Sequence, residues 1–543
     1  MQGLMMDTPL LISAIAEHAR RNHGDREIVS VTADNPKHRY TFRECIGRAK
    51  QLANALDKLD LAHGDRVATL AWNDYRHLEA YYAISGSGYV CHTINPRLFP
   101  EQLTYIINHA EDRWILTDVM FVPLLEALGD HIANVEGFIV MTDEAHMPET
   151  SLNNVFCYET LIGAESTAFA WPEIDERSAS ALCYTSGTTG NPKGVLYDHR
   201  STILHAYAAV APDVMDLASR DTVLPVVPLF HVNAWGIPYS TLMTGAKIVF
   251  PGPKMGDGEA LCELLISEDV TKALGVPTVW LALLQYTAKA GKRLDVLEQT
   301  LVGGAAVPRS MIEEFRDKHG VELRQGWGMT ETSPLGSCNS IKAGLEDLSP
   351  DERLDLATKA GRSLFGCEMR IVDDEGAEVP WDGVEYGALQ VRGPWVCSDY
   401  FKLDGTAGTH TIDGWFDTGD VATIDPNGYM AITDRTKDVI KSGGEWISSI
   451  ELENVAMDHP AVAEAGVIGL PHPKWTERPL LVVVKAEGQD VTREELLASF
   501  DGKVATWSVP NDVVFVDDLP HTATGKIKKI ELRKQFADYQ FPE

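Results

Sequence analysis

The stretch from Tyr184 to Val195 carries the residue types that bind a polyphosphate. Glycines let main-chain N–H groups converge on an anion, hydroxyls add donors, and a lysine adds positive charge. The spacing differs from that of a Walker A loop, because Pro192 precedes the lysine and Gly194 follows it. A flexible Gly/Thr surface loop has the same composition. The candidate phosphate contacts are Thr185, Ser186, Gly187, Thr188, Thr189, Gly190 and Lys193.

Two later segments combine small residues with aromatic and acidic ones. The first is Gly303, Gly304 and Ala305, which let a flat ring lie against the backbone, although a tight turn explains them equally well. In the second segment, Glu331 has two interpretations. It is either a carboxylate at the N-terminus of a helix or a carboxylate that faces phosphates. The latter requires a cation such as Mg²⁺ between the carboxylate and the phosphates. The second segment contains Gly326, Trp327, Gly328, Met329, Thr330 and Glu331.

Acidic and basic candidates follow toward the C-terminus. Asp420 ends the segment Gly414 to Asp420, where a carboxylate can accept from two hydroxyls, although Asp after Gly is also ordinary turn chemistry. Lys526 lies between Thr-Gly and Ile. Without these neighbours, the simplest interpretation of Lys526 is a surface lysine, as most lysines are. Between them lie Arg435, Lys437, Lys441, Ser442, Gly443, Gly444 and Trp446, whose Lys-Ser-Gly-Gly part is also typical of a solvated loop.

In this order, the motifs resemble those of the adenylate-forming enzymes: acyl- and aryl-CoA synthetases, luciferases and the adenylation domains of peptide synthetases. The resemblance runs from Thr185 to Lys526 and implies that the chain activates a carboxylic acid with ATP and Mg²⁺ and transfers the acyl group to coenzyme A. It assigns Thr185 and Glu331 to the metal and Thr330 to the α-phosphate. It assigns adenine to the segments at Gly303 and Gly326, and ribose to Asp420 and Arg435.

The same resemblance assigns the parts that move. Lys437 matches the hinge about which the C-terminal domain rotates, and Lys526 matches the catalytic lysine that bridges the carboxylate and the α-phosphate. The residues matched to coenzyme A binding are Lys441, Ser442, Gly443, Gly444 and Trp446.

The segment Pro228 to Trp235 bears on the acyl substrate. It resembles a group of fatty-acyl-CoA synthetases and 3-methylmercaptopropionate:CoA ligases, in which the histidine lies by the acyl carboxylate and the tryptophan lines the acyl tunnel. This implies a catalytic role for His231 and an acyl pocket that contains His231, Trp235 and Trp327. Lone His and Trp residues are often simply buried. The substrate expected is 3-methylmercaptopropionate.

Length and composition limit the class of protein. With 543 residues, the chain is too long for one core. The net charge of −32 argues against binding to nucleic acid. No apolar run is long enough to span a membrane, and the eight cysteines contain no Cys-x-x-Cys pair, so a cytoplasmic protein is expected. The resemblance adds a homodimer as the expected assembly.

The elements that must position these residues follow an α/β pattern. Apolar runs at Arg66, Thr222 and Ala246 alternate with amphipathic segments, and short strands with Gly-rich turns fill Gly361 to Thr433. The fold implied is a large N-terminal domain, residues 1–436, of two α/β sheets and a small β-barrel-like subdomain. A mobile α+β C-terminal domain, residues 437–543, carries the catalytic lysine.

Three alternatives remain open at this point. One is a different enzyme of the superfamily, either a luciferase-like oxygenase or a peptide-synthetase adenylation domain, although no carrier domain follows. Another is a ligase for medium-chain or long-chain fatty acids. The third is a catalytically silent ATP-binding regulator, which would be expected to have lost Lys526 or Glu331, and both are present.

Overall fold

The computed structural model describes residues 1, 3–35, 37–185, 191–403, 409–411, 413–442, 445–521 and 527–542, with the backbone alone for residues 445 and 446. The helices are α1 (Ile12–Asn22), α2 (Phe42–Leu56), α3 (Tyr75–Gly86), α4 (Pro100–Ala110), α5 (Val122–Leu128), α6 (Tyr158–Gly163), α7 (His199–Ala209), α8 (Ile237–Thr244), α9 (Gly258–Ser267), α10 (Pro277–Ala290), α11 (Arg309–Glu314), α12 (Pro350–Ala357), α13 (Ser449–Met457), α14 (Arg493–Ala498) and α15 (Lys529–Gln535).

The strands are β1 (Glu27–Ser30), β2 (His38–Thr41), β3 (Arg66–Leu70), β4 (Val90–Thr93), β5 (Asp112–Thr117), β6 (Gly137–Val140), β7 (Val155–Cys157), β8 (Ala179–Tyr184), β9 (Gly194–Asp198), β10 (Thr222–Pro225), β11 (Lys247–Phe250), β12 (Lys272–Gly275), β13 (Gln299–Val302), β14 (Glu322–Gly328), β15 (Leu335–Cys338), β16 (Arg362–Ser363), β17 (Glu368–Val372), β18 (Gly387–Arg392), β19 (Phe416–Ile424), β20 (Met430–Arg435), β21 (Ile440–Ser442), β22 (Glu445–Ile447), β23 (Val462–His472), β24 (Thr476–Lys485) and β25 (Asp512–Val516).

Two sheets, both mainly parallel, carry the first part of the chain. One has the strand order β7-β6-β5-β3-β4-β8-β9 and ends in the antiparallel β8–β9 pair. The other has the order β16-β15-β14-β13-β12-β10-β11-β1-β2, with antiparallel pairs at both edges. Strands β4, β6 and β10 are buried at every residue, as expected when helices cover both faces of a parallel sheet. The predicted α/β class with two sheets is confirmed.

Helices α2 and α3 lie in the apolar core that the two sheets share. Residues of α2 and α3 form one buried cluster with Val67 of the first sheet and Val223 of the second. The start of α2 is set by a capping box, because Thr41 Oγ1 accepts from the Glu44 N–H and the Glu44 carboxylate accepts from the Thr41 N–H. The register of α2 therefore directs its apolar face into this core.

Asn73, fully buried beyond the end of β3, connects the two sheets. Its side-chain amide donates to the carbonyls of Pro225 at 3.0 Å and Val227 at 2.8 Å, directly after β10. Its Oδ1 accepts from the Leu229 N–H at 2.7 Å. One side chain thereby satisfies three main-chain groups of the segment that leads into Pro228 to Trp235.

The β-rich subdomain and the C-terminal part follow as separate sheets. The subdomain is an antiparallel sheet with the order β17-β18-β19-β20. The last sheet has the order β22-β21-β24-β23, with β25 parallel to β24. The hydrophobic pattern of the C-terminal part predicts a helix near Ser449 and strands near Val467 and Leu481. They are present as α13, β23 and β24. The subdomain sheet ends at Arg435 and the next begins at Ile440, and the domain boundary at Lys437 stays a prediction.

Two predicted elements differ from the structure in extent. The helical spacing of Met311, Ile312 and Phe315 predicts a helix over residues 310–319. In the structure α11 extends to Glu314 and continues as a wider π-turn over Phe315–His319. The alternating pattern of residues 321–325 predicts a strand that ends before Gly326. In the structure this strand continues to Gly328, because Gly326 and Trp327 pair with Cys338 and Ser337 of β15. The adjoining loop therefore starts at Met329. No helix within the described residues combines the length and apolar character needed to cross a membrane.

We expect Asn73→Ala to destabilise the protein by about 2–4 kcal/mol, because three buried main-chain groups lose their partner. Urea unfolding followed by circular dichroism measures this as a lower midpoint. The matched control is Asn22→Ala at an exposed helix end, which should stay within about 0.5 kcal/mol of the wild type. Equal midpoints for the two variants would show that Asn73 does not connect the sheets.

Candidate active site

The stem of the glycine-rich loop is a β-hairpin. Strands β8 and β9 pair antiparallel up to Tyr184 opposite Gly194. Beyond them, the Thr185 N–H donates to the Lys193 carbonyl at 2.9 Å, and the Lys193 N–H donates to Thr185 Oγ1 at 3.2 Å. The predicted contacts Ser186, Gly187, Thr188, Thr189 and Gly190 lie outside the described residues. The described stem places Thr185 and Lys193 side by side at the base of the loop.

A tight turn carries Thr330 and Glu331 between β14 and β15. Gly328 is required at its start, because a Cβ there would lie 1.6 Å from the Pro334 carbonyl oxygen. The Met329 N–H donates to that same oxygen at 3.1 Å, and the Thr330 carbonyl accepts from the Tyr197 hydroxyl at 2.7 Å. The sequence Gly-Met-Thr-Glu therefore folds into a closed turn that buries both Thr330 and Glu331.

Glu331 is a buried carboxylate whose nearest polar partner is a phenol. The Tyr400 hydroxyl donates to Glu331 Oε1 at 2.6 Å, and the Lys193 ammonium lies 4.6 Å from the centre of the Tyr400 ring. Burial raises the pKa of Glu331, and burial also raises the pKa of Tyr400, which stays a neutral donor. Among the ion pairs formed by the described residues, none includes Glu331.

Asp420 is the second buried carboxylate, and both of its oxygens are engaged. Asp420 Oδ1 lies 2.8 Å from Arg435 Nε, and Oδ2 accepts from the Trp327 indole N–H at 2.9 Å. Asp420 and Arg435 are paired residues of β19 and β20, whereas Trp327 lies on β14 of a different sheet. The contact therefore joins the subdomain to the large sheet at the positions that sequence motifs assigned to a nucleotide.

The segment after His231 forms a left-handed turn. Val232, Asn233, Ala234 and Trp235 all have positive φ, between 46° and 56°, and Gly236 follows at 79°. For L-residues each such conformation costs about 1–2 kcal/mol, so surrounding contacts must hold the turn. Asn233 Oδ1 accepts from the Cys183 thiol at 3.3 Å and lies 3.1 Å from the Tyr81 hydroxyl, and all three residues are buried.

The turn brings Trp235 against the two glycine segments. A Cβ added to Gly303 would lie 3.2 Å from the Trp235 ring and 3.0 Å from the Gly326 carbonyl oxygen. Gly304, which follows, has φ +83°, and Gly304 and Ala305 are exposed after β13. The candidate acyl residue and the candidate adenine segments are therefore neighbours. His231 itself is half-buried and precedes the turn.

Lys437, Lys441 and Ser442, which are described residues predicted for the hinge and for coenzyme A, lie in or next to the C-terminal sheet. Burial lowers the pKa of Lys437. The Lys441 N–H donates to Glu477 at 2.9 Å, and Ser442 Oγ accepts from Arg478 at 3.0 Å, so both residues are bound to β24. Gly443, Gly444 and Lys526 lie outside the described residues, as does the side chain of Trp446.

Sequence reasoning missed the tyrosines that support this site. Tyr400 lies 69 positions from Glu331, and Tyr197 lies 133 positions from Thr330, so neither belongs to a local motif. Asn233 was also missed, because an Asn in an apolar segment has no spacing signal of its own. A pairing of distant polar residues appears only after the sheets are assembled.

Comparison with known proteins gives matches along the chain. Residues 15–401 match a family described as AMP-binding enzyme, and residues 451–526 match the AMP-binding enzyme C-terminal domain. A 3-methylmercaptopropionyl-CoA ligase of Ruegeria lacuscaerulensis is 54% identical over 538 residues, with 99% of each chain covered. A medium-chain-fatty-acid–CoA ligase of Ectopseudomonas oleovorans is 51% identical, covering 99% of this chain and 98% of that protein.

A solved structure has the same fold. The anthranilate CoA ligase AuaEII in complex with anthranoyl-AMP superposes with a TM-score of 0.87 at 25% identity. The match covers 98% of this chain and 99% of that one.

We expect Glu331→Gln to raise the thermal unfolding midpoint of the ligand-free protein at pH 8. Because burial raises the pKa of Glu331, its ionisation opposes folding, and the stability of the protonated form is lost as pH rises through the raised pKa. The gain should fall in the range of single stabilising substitutions, about 0.5–2 kcal/mol. It should shrink as pH falls toward about 4.3, the pKa of an unfolded Glu.

Differential scanning fluorimetry across pH gives both quantities. Glu385→Gln, an exposed site, is the control and should show no such pH-dependent gain. A Glu331→Gln protein that is less stable than the wild type at pH 8 would contradict this account of the buried carboxylate.

Proposed function

The chain belongs to the AMP-binding enzyme family, and on that premise we propose that it is an AMP-forming acyl-CoA ligase. It converts a carboxylic acid, ATP and coenzyme A to an acyl-CoA, AMP and pyrophosphate. Two relatives that match nearly the full chain are both named as CoA ligases, which supports this reaction class.

One observation carries the assignment to the site. Tyr400 contacts Lys193 through its ring face and Glu331 through its hydroxyl, while Trp327 of β14 donates to Asp420. Lys193, Glu331 and Asp420 lie together where β9, β14 and β19 converge. They provide one cation and two buried carboxylates, and Asp420 is bound by the Trp327 indole and the Arg435 guanidinium. These groups match the phosphate, metal and ribose requirements of one bound nucleotide.

In the first half-reaction, a substrate carboxylate oxygen attacks the α-phosphorus of ATP. A new P–O bond forms, the bond to the bridging oxygen of pyrophosphate breaks, and acyl-adenylate and pyrophosphate result. Lys193 and the hydroxyls and glycines of its loop bind the phosphates, and Thr330 contacts the α-phosphate. Lys526 bridges the carboxylate and the α-phosphate and stabilises charge that develops in the transition state.

Glu331 and Thr185 fit a magnesium ion. The Glu331 carboxylate is buried, and the only hydrogen-bond donor described for its Oε1 is the neutral phenol of Tyr400, so its negative charge is available to a cation. Thr185 offers a hydroxyl at the base of the phosphate loop. When bound, Mg²⁺ would neutralise phosphate charge in the site. Oxygen ligands of these two kinds are those that Mg²⁺ prefers.

The nucleoside lies along the glycine segments. Gly303, Gly304 and Ala305 with Gly326, Trp327, Gly328 and Met329 provide the flat surface for adenine. Asp420 and Arg435 bind the ribose. A carboxylate has about four acceptor positions, so Asp420 can accept from ribose hydroxyls while it keeps Trp327 and Arg435.

In the second half-reaction, the thiol of coenzyme A attacks the acyl carbon. The C–S bond forms, the acyl–phosphate bond breaks, AMP leaves and the thiol proton is released. We place the domain boundary and hinge at Lys437, so that rotation withdraws Lys526 and presents the turn of Lys441, Ser442, Gly443, Gly444 and Trp446 to coenzyme A. The short connection between Arg435 and Ile440 supports a hinge there.

For the substrate we propose 3-methylmercaptopropionate. Trp235 lies against Gly303, so its indole limits the length of an acyl chain beside the adenine segments. The aromatic ring also favours a thioether sulfur by about 0.3–1.5 kcal/mol. His231 immediately precedes the turn that carries Trp235. We assign His231 to the acyl carboxylate and Trp327 to the same pocket.

A medium-chain or longer fatty acid is the second candidate. A relative named as a medium-chain ligase is 51% identical, nearly as similar as the 3-methylmercaptopropionyl-CoA ligase, so overall identity does not separate the two substrates. The position of Trp235 favours the short acid. A silent ATP-binding regulator is disfavoured because Lys193, Glu331 and Lys526 are all retained.

We further propose a homodimer in the cytoplasm. The eight cysteines are all unpaired thiols, which agrees with a reducing compartment. The dimer rests on the family resemblance, and analytical ultracentrifugation tests it directly.

We expect the wild type to use 3-methylmercaptopropionate and butyrate with a kcat/KM at least about 100-fold above that for palmitate, because Trp235 closes the tunnel. Trp235→Ala should shift the preference toward octanoate and palmitate. Trp381→Ala, which removes an exposed tryptophan, is the control and should leave the ranking unchanged. A wild type that prefers palmitate would replace this substrate with the long-chain alternative.

Lys526→Ala should slow acyl-adenylate formation by about 10²–10³-fold, since one transition-state charge contact is lost. It should retain most of its rate when supplied with acyl-adenylate and coenzyme A. Pyrophosphate release and thioester formation measure the two halves separately. Lys534→Ala on α15 is the control and should affect neither, whereas equal loss in both halves would show that Lys526 has a different role.

A further inference from the structure

We propose that Tyr400 is a positioning residue for the metal site: it orients Glu331 toward a divalent cation and holds Lys193 apart from that carboxylate. The inference rests on the proposed function, because it assigns Glu331 to the metal and Lys193 to the phosphates. The Tyr400 side chain contacts Glu331 through its hydroxyl and Lys193 through its ring.

The hydroxyl end of Tyr400 fixes Glu331. It donates to Oε1 at 2.6 Å, and both residues are buried. A hydrogen bond to one carboxylate oxygen fixes the rotation of the carboxylate and leaves Oε2 for a cation. A phenol can do this without cancelling the negative charge, whereas a lysine or arginine would form an ion pair and compete with the metal.

The ring face of Tyr400 holds Lys193. The ammonium lies 4.6 Å from the ring centroid, within the range of a cation–π contact. Without such a site, a lysine beside a buried carboxylate would be drawn into a direct ion pair, and none joins Lys193 to Glu331 among the described residues. The two opposite charges thus remain available for metal and phosphate.

The backbone around Tyr400 is bound to both sides of the site. The Phe401 N–H donates to the Gly194 carbonyl at 2.8 Å, directly after Lys193. The Cys397 N–H donates to the Glu331 carbonyl at 2.8 Å, and the Ser333 hydroxyl donates to the Trp395 carbonyl at the same distance. Residues 395–401 are therefore hydrogen-bonded both to Gly194, beside Lys193, and to the turn that contains Glu331. Tyr400 lies between these two sets of hydrogen bonds in the chain.

A purely structural role for Tyr400 makes a different prediction. Tyr400→Phe keeps the ring, its volume and the Lys193 contact, and removes only the hydroxyl. If the residue merely fills space, metal binding should be unaffected. If it orients Glu331, the affinity for the metal should fall by about 10–100-fold, as is typical when a partner of a metal ligand is removed.

The test is a titration of Mn²⁺ into the full-length protein with a non-hydrolysable ATP analogue, followed by electron paramagnetic resonance. We expect Tyr400→Phe to weaken Mn²⁺ binding about 10–100-fold and to raise the Mg²⁺ concentration for half-maximal pyrophosphate release similarly. The KM for the carboxylic acid should not change. Tyr400→Leu should in addition raise the KM for ATP, because Lys193 loses the ring.

Tyr429→Phe is the matched control, because this buried phenol donates to the Ser340 carbonyl at 2.7 Å in the subdomain. It should bind Mn²⁺ as the wild type does. Tyr400→Phe with wild-type Mn²⁺ affinity, while Glu331→Gln loses it, would overturn this inference and leave the ligase proposal intact. Glu331→Gln with unchanged affinity would overturn the inference together with the metal role of Glu331. A wild type that forms no acyl-CoA from any acid would instead remove the proposed function.

Discussion

The burial of a carboxylate that forms no ion pair among the described residues is the constraint on which this site depends. Glu331 is held by a turn whose geometry requires Gly328 and by a phenol that leaves its charge intact. Such an arrangement is unfavourable for folding, because an ionised group in a low-dielectric site lacks compensation. In the ligand-free protein, other contacts of the fold must offset the free-energy cost of burying Glu331. In a complex, a bound cation with its phosphates would offset that cost. Under the proposed metal role, the stability of the ligand-free protein and its affinity for the cation are opposed at Glu331.

The architecture provides this compensation by joining separate sheets at a few buried polar contacts. Asn73 connects the seven-stranded sheet to the segment after β10, and Asp420 connects the subdomain to β14 through Trp327. Each contact satisfies groups that would otherwise be buried without partners. Sliding the first two sheets past each other would break the three hydrogen bonds of Asn73 at once. The site is thus built from residues of three sheets.

Much of this organisation could be predicted from sequence, because the motifs are local. The α/β class, the strands near Arg66, Thr222 and Ala246, and α13 follow from periodicity, and membership of the adenylate-forming enzymes follows from the ordered motifs. The length of β14 could not be predicted, because Gly326 and Gly328 are typical of a loop and their pairing with β15 appears only in the structure. The roles of Tyr400 and Asn73 were also inaccessible, because each bonds to residues far away in the chain. Contacts at the loop 186–190 and at Lys526 stay predictions.

The left-handed turn at Val232–Gly236 limits how the proposed acyl pocket of this protein can be altered by mutation. Val232, Asn233, Ala234 and Trp235 are strained at positive φ, whereas Gly236 adopts this conformation freely. The buried Tyr81 and Cys183 hold the turn by donating hydrogen bonds to Asn233. A left-handed turn also directs its side chains differently from a right-handed turn of the same length. Insertions, deletions or a grafted loop would therefore lose the compensation along with the shape. Exchanging a single side chain on the same backbone, as at Trp235, keeps both the turn and its hydrogen bonds.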